Sequence, residues 1–246
     1  KGSAVPRDAK ETSNISLAWI NDLIQLSPSA GGAFLRRACA VVPVRSEFRK
    51  IALKTIMRTL TSLPKTIQDE FMRQYLPKYS KVSQSMFRLF AVEMCGEIQK
   101  MSTSTEEEEE NMETQTQVLL VRTLLERSCD RIPSVRAAAM RVLGNVAESI
   151  VKNDNLSGPW ALALIPALRG SASGSTMTPS KKSRRFDQSL LEILRRRLND
   201  INSTVKNAAL RLMAAVPGVL GENTEVIPTE LVRQCYLTYI QPSHSQ

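Results

Sequence analysis

The feature that most constrains this chain is a short pattern that recurs along it. An apolar residue is followed by Arg or Lys, two further residues and Ala, and the pattern starts at Phe48, Phe87, Val135 and Val205. The steps between these starts are 39, 48 and 70 residues. A helix-pair repeat of roughly 40 residues is typical of solenoids. The first step is therefore one unit, and the longer steps are one unit plus additional residues.

The last two copies match further and indicate the type of repeat. The matched positions are Asp130, Val135, Arg136 and Ala139 in one copy and Asp200, Val205, Lys206 and Ala209 in the next. An Asp in the turn, followed by Val-Arg/Lys and Ala on the second helix, is the HEAT signature. The small Ala permits close helix packing, apolar residues at helical spacing form a buried stripe, and the Asp and basic residue are expected to form a ladder. The sequence predicts an all-α HEAT-repeat solenoid of antiparallel helix pairs.

The same reading divides the chain into segments. We expect HEAT units over 14–100 (a partial first unit, then two units), an acidic linker over 101–113, a unit over 114–152, a Gly/Ser/Pro-rich insert with a possible short helix over 153–186, and a unit plus the first helix of the next over 187–240. The predicted first helices are Ser29–Val42, Thr66–Tyr79, Thr114–Cys129 and Asp187–Asn199, with Ile15–Leu26 before them and Pro228–Ile240 after them. We therefore expect the solenoid to continue beyond both ends.

Several function classes find no support in the sequence. One histidine, His244, makes a Ser-His-Asp or Cys-His site improbable, and no glycine-rich phosphate loop is present. The four cysteines are far apart at apolar positions of predicted helices, so we expect reduced core thiols and no metal site. No apolar run approaches the roughly 20 residues that cross a bilayer, and no signal peptide opens the chain. We predict no enzyme, no cofactor and no membrane contact.

The charge distribution points to an acidic partner. The formal net charge is +9, and residues 1–100 carry 16 Lys and Arg against 8 Asp and Glu. A second basic stretch supplies the candidate DNA-binding residues Lys181, Lys182, Arg184, Arg185, Arg195, Arg196 and Arg197. These cations fit either a solubilising helix face or a phosphate-binding stripe. Because Phe186 is the one aromatic residue among them, base stacking is not indicated, and any DNA binding is expected at the backbone of the duplex, without sequence specificity.

Two low-complexity stretches suggest possible regulation of DNA binding. Glu106–Glu110 is expected to be a solvated linker. The alternative is that this acidic run mimics DNA and competes with it for a nearby basic surface. Thr178 begins a Thr-Pro-Ser-Lys-Lys segment that matches the preference of cyclin-dependent kinases, in a stretch too polar to fold alone. Thr178 is therefore the candidate phosphorylation site.

Two blocks resemble a known family. Leu124-Leu-Glu-Arg-Ser-Cys-Asp-Arg-Ile-Pro-Ser-Val-Arg-Ala-Ala-Ala139 is similar to a block of the condensin D-type HEAT subunits. The second block, Leu191-Glu-Ile-Leu-Arg-Arg-Arg-Leu-Asn-Asp200 followed by Val205-Lys-Asn-Ala-Ala-Leu210, is similar to another block of the same subunits. The order of the two blocks, with an insert between the first and the second, resembles the D-three branch of condensin II more than the D-two branch of condensin I. The resemblance implies a non-catalytic subunit that acts on mitotic chromosomes in the nucleus. It also implies binding to a kleisin and to other condensin subunits, contact with DNA, and phosphorylation by mitotic kinases.

Two other binding scaffolds share the predicted solenoid. Nuclear transport receptors of the importin type are usually acidic, whereas this chain is basic. Microtubule-binding HEAT arrays are often basic but usually keep their units compact, so the predicted insert counts against them. Both adaptors remain alternatives to the chromosomal scaffold.

Overall fold

The computed structural model describes Asp22 and residues 27–102, 110–170 and 189–240. These residues form ten α-helices, and none of them lies in a strand. In chain order the helices are α1 (Pro28–Cys39), α2 (Ser46–Thr61), α3 (Lys65–Tyr79), α4 (Ser85–Ser102), α5 (Glu110–Ser128), α6 (Pro133–Lys152), α7 (Pro159–Arg169), α8 (Leu190–Leu198), α9 (Ser203–Leu220) and α10 (Thr229–Ile240). A short 3-10 helix, Gly221–Val226, precedes α10. The all-helical fold and the packing of helices close in sequence confirm the predicted α-solenoid.

The chain divides into two compact units, 1–79 and 80–246. In the described part of the first unit, α1 packs against both α2 and α3. In the second unit α6 packs against α4 on one side and α9 on the other, which makes one layer of helices. The other layer runs through α5, α7, α8 and α10, each in contact with the next. The two layers bury the apolar stripe of each helix against one another.

Small residues let α6 and α9 approach closely. Ala139 and Ala209 are both fully buried, as are Val135 and Val205 at the starts of the two helices. A Cβ added at Gly144 of α6 would lie 3.7 Å from the Cα of a residue on α9, so the two backbones run close together there. Large side chains at these positions would push the layers apart.

The starts of three helices have local causes. α6 begins at Pro133, where the missing N–H of proline costs nothing. The Ser189 hydroxyl accepts a hydrogen bond from the Glu192 amide at 3.2 Å and caps α8. The Asn202 side chain accepts from the Thr204 amide at 3.1 Å and caps α9. Pro133 and the Asn202 cap follow the two turns that carry the repeated residues Asp130 and Asp200.

The first part of the predicted insert is a packed helix. α7 lies between α5 and α8 in its layer, and Trp160, Ala161, Leu164 and Leu168 are buried. Gly170, with a φ of 71°, ends the helix in the left-handed conformation that glycine tolerates. The composition of the insert predicted at most a possible short helix, and Pro159 stands at the start of α7. Residues 171–188, with Thr178 and the first four DNA-binding candidates, lie outside the described residues.

Some predicted boundaries and thiols differ in the structure. α5 begins at Glu110, four residues before the predicted Thr114, and α4 continues to Ser102. The rest of the acidic run and nearly all of Ile15–Leu26 lie outside the described residues. The prediction that all four thiols are in the core is wrong. Cys39 and Cys95 are buried, but Cys129 is exposed because it follows the last turn of α5, and Cys235 is half-buried.

Membrane-spanning helices and metal-binding clusters are both absent from the described residues. No helix among them is both long and apolar enough to span a bilayer. Within the same residues, no three His, Cys, Asp or Glu side chains are grouped so that they could hold a metal ion.

Candidate functional site: an arginine–aspartate ladder beside a basic helix

The repeated Asp of the third helix pair is held by arginines from two helices. The Arg88 guanidinium of α4 donates twice to the Asp130 carboxylate, from Nε to Oδ2 at 2.7 Å and from Nη2 to Oδ1 at 3.0 Å. Arg127, at the end of α5, donates from Nη1 to Oδ2 at 3.0 Å. The Ile132 amide donates to Oδ1 at 3.0 Å and shapes the turn before α6. The carboxylate thus joins α4, α5 and α6.

The next repeated Asp has the same arrangement. Arg136 of α6 donates to the Asp200 carboxylate from Nε and Nη2, both at 2.8 Å. Arg197 donates from Nη1 to Oδ2 at 2.8 Å, and the Asn202 amide donates to Oδ1 at 3.1 Å. Two equivalent rungs therefore run along the turns of the second unit, each formed by a two-pronged arginine and a second arginine.

The remaining donors of the bridging arginines bind backbone carbonyls. Arg88 Nη1 donates to the carbonyl oxygens of Val82 at 2.8 Å and Ser83 at 2.6 Å. Arg136 Nη1 donates to the carbonyls of Asp130 at 2.9 Å and Arg131 at 3.0 Å. Each arginine therefore also orders the turn before its own helix, and Arg136 links the two rungs through the Asp130 backbone.

Both carboxyl groups are more acidic than usual. Burial disfavours the charged form of Asp130 and by itself raises its pKa. Hydrogen bonds from Arg88 and the Ile132 amide, together with the positive charges of Arg88 and Arg127, outweigh burial, so the pKa of Asp130 is lowered. The same balance at Asp200, with Arg136, Arg197 and the Asn202 amide, lowers its pKa as well. Both rungs are therefore ion pairs at neutral pH.

Lys206, at the position of Arg136 in the next repeat, forms no rung with the residues that the structure describes. Its side chain is half-buried and makes no hydrogen bond or ion pair among those residues. The Asp of a rung follows the first helix of the next unit, and the residues after α10 lie outside the described part of the chain. Lys206 therefore marks the end of the ladder in this structure.

The three arginines of α8 have different surroundings. The Arg197 side chain is only 18% exposed and its charge is paired with Asp200, so it belongs to the ladder. Arg195 and Arg196 are 58% and 48% exposed and lie 3.4 Å and 3.3 Å from the Glu192 carboxylate. Of the described candidates for DNA contact, Arg195 and Arg196 are the two that present charge to solvent.

The second arginine of each rung was missed from the sequence. Arg127 and Arg197 each stand three residues before their Asp, so the shared pattern Arg-x-x-Asp marked both. Arg88 was part of the repeat pattern, but its partner had not been assigned. Aligning the two repeats over the turn and the end of the helix before it identifies Arg127 and Arg197.

Comparison with known proteins gives one relative. The chain is 23% identical over 210 residues to a protein described as condensin-2 complex subunit D3 from Mus musculus. The match covers 75% of this chain and 14% of that relative, so the chain spans about one seventh of its length. No family model and no solved structure matches.

Proposed function

We propose that this chain is a non-catalytic HEAT-repeat scaffold segment of a condensin complex of the condensin II type, acting in mitotic chromosome condensation. The observation that carries the proposal is the ladder Arg88–Asp130 and Arg136–Asp200. Asp130, Arg136 and Asp200 lie in the blocks that resemble condensin D-type subunits, and similarity to a condensin-2 subunit supports the same interpretation. The ladder keeps successive helix pairs in register, which a scaffold needs in order to hold several partners at fixed spacing.

The proposed partners are a kleisin, other condensin subunits and the backbone of double-stranded DNA, in the nucleus and on chromosomes. The net charge of +9 favours an acidic polymer, and Arg195 and Arg196 place exposed cations on one helix. Contact with phosphates through such side chains carries no sequence information.

One pull-down experiment separates this function from the other scaffolds. The immobilised chain is incubated in parallel with a kleisin fragment, duplex DNA, tubulin and a nuclear transport cargo signal. We expect retention of the kleisin fragment and of DNA. Retention of tubulin or of the cargo signal, without the kleisin fragment, would show that the chain is a microtubule-binding or transport adaptor.

We also propose that Thr178 is a regulatory phosphorylation site. Phosphate would add roughly −1.5 to −2 charges at neutral pH close in sequence to Lys181, Lys182, Arg184 and Arg185, and so mask cations that otherwise meet DNA. Treatment with a cyclin-dependent kinase should label the parent but not Thr178→Ala, and should weaken the affinity of the parent alone for DNA. Unchanged affinity after complete labelling contradicts masking.

A further inference from the structure

A groove in the first unit combines an aromatic floor with a cationic rim. It lies between α1 and α3 and has a volume of about 420 Å³. Phe71, Tyr75 and Tyr79 of α3 form an aromatic row along it, with successive ring centroids 5.3 Å and 4.5 Å apart. The exposed cations Arg36, Arg37 and Lys78 also line it.

Two rings of the aromatic floor are buried, and the third is partly exposed. Phe71 and Tyr75 are each 3% exposed and belong to the core, whereas Tyr79 is half-buried and offers part of its ring. Cys39 lies behind Tyr75; burial raises the pKa of this thiol to about 12, although a hydrogen bond from the Tyr75 side chain acts the other way. The thiol is therefore neutral at physiological pH, and the floor carries no negative charge.

The rim has a surplus of positive charge. Among the residues that the structure describes, no carboxylate lines the groove, and the side chains of Arg36 and Arg37 make no hydrogen bond or ion pair. The three cations lie in the last turns of α1 and α3. Each helix end has the effect of about −0.5 charge, so three cations leave a surplus of about +2. Neutralising the helix ends does not account for all of this charge.

We propose that the groove binds an extended acidic segment of a partner protein. An aromatic or large apolar side chain of that segment packs on Tyr79 and the row beneath it, and flanking carboxylates pair with Arg36, Arg37 and Lys78. Duplex DNA presents phosphates but no apolar group outside its grooves, so it would use the rim and leave the floor uncovered. The apolar floor therefore favours a peptide, and Arg36 and Arg37, which have no partner among the described residues, favour an acidic one. Lys78 lies over the Tyr79 ring, 5.3 Å from its centroid, and adds its charge at the same place.

The test measures binding of a short fluorescent peptide, in which a central Phe is flanked by Glu residues, to the whole chain by fluorescence anisotropy. Lys78→Glu and Arg37→Glu should each weaken binding by at least about fivefold, because a favourable charge pair becomes a repulsive one. Tyr79→Ala should weaken binding by a similar factor, and replacing the Phe of the peptide by Ser should have the same effect. Thermal unfolding of each variant checks that the unit is folded.

The matched control is Arg73→Glu, which makes the same charge change at an exposed position of α3 outside the groove. It should stay within about twofold of the parent, since only long-range screened charge is lost. Equal losses for Arg73→Glu and Lys78→Glu, or equal binding of a peptide with Gln in place of Glu, overturn the proposal. If a thymidine oligonucleotide binds more tightly than the peptide and depends on Tyr79, the groove is a nucleic-acid site and the proposal is wrong.

Discussion

At the scale of single residues, the two buried carboxylates organise the turns of the second unit. The side chains of Asp130 and Asp200 are 2% and 4% exposed, and each accepts hydrogen bonds from two arginines and one backbone amide. A buried pair is not strongly stabilising relative to an apolar core, but removing one partner is costly because the other charge remains. The rungs thus work mainly by fixing register.

Loss of a rung should destabilise the second unit. Asp200→Asn leaves Arg136 and Arg197 facing a neutral amide, and we expect it to lower the free energy of unfolding by about 3 kcal/mol. Urea unfolding followed by circular dichroism measures this change. Glu192→Gln, which alters the solvent-exposed pairs of Glu192 with Arg195 and Arg196 on α8, should cost less than about 1 kcal/mol. Equal effects of the two variants would show that the rung is not specifically stabilising.

The lowered pKa values of the two Asp residues predict acid sensitivity. The ordinary pKa is 3.8, and the folded chain holds each proton less tightly than the unfolded chain does. The contribution to stability is therefore present above the unfolded pKa and is lost as pH falls below about 4 towards the folded pKa. The free energy of unfolding, measured in urea at a series of pH values, should fall more steeply for the parent than for Asp200→Asn. Parallel curves would contradict this assignment.

At the scale of elements, the repeat pattern predicted the helices of the solenoid but not every member of its layers. Val135 and Ala139 follow helical spacing and are buried because α6 packs on both sides. α7 was predicted only as a possible short helix, since Pro159 and Pro166 interrupt the usual signals. Its place in the layer depends on burial against α5 and α8, which are distant in sequence and give no local pattern.

The close packing of α6 and α9 should tolerate no large residue. Ala209→Arg puts a long charged side chain at a fully buried position, and we expect a loss of several kcal/mol, about 3 or more. Ala214→Arg makes the same replacement at an exposed position of α9 and should change stability by less than about 1 kcal/mol. Thermal unfolding of both variants measures the difference. If Ala209→Arg unfolds like the parent, the packing register of α9 is wrong.

The contribution of α7 is testable in the same way. Leu164 is fully buried whereas Leu162, on the same helix, is 51% exposed. Leu164→Ala should cost about 3 kcal/mol because it leaves a cavity in the layer, and Leu162→Ala should cost less than about 1 kcal/mol. Chemical denaturation compares the two variants. Similar small losses would mean that α7 does not pack as a member of the layer.

At the scale of the whole molecule, the basic charge predicts salt-dependent binding to duplex DNA. Affinity should fall as salt rises, with a slope set by the number of phosphates neutralised. The double substitution Arg195→Glu and Arg196→Glu should weaken binding to all sequences alike and reduce that slope. Arg233→Glu, at an exposed position of α10, is the charge control. Fluorescence anisotropy in a salt series provides the measurement, and a salt-independent or sequence-selective result would contradict backbone-directed binding.

The spacing of the two rungs has a consequence for how this chain tolerates insertions. Arg88 and Asp130 are 42 residues apart, whereas Arg136 and Asp200 are 64 apart. Chain-closure entropy grows only with the logarithm of loop length, so the longer span costs only about 0.4 kcal/mol more. Doubling it again would cost about 0.6 kcal/mol, far less than the loss of a rung. We therefore expect that a reporter domain inserted between Arg169 and Leu190 leaves the helix pairs on either side together.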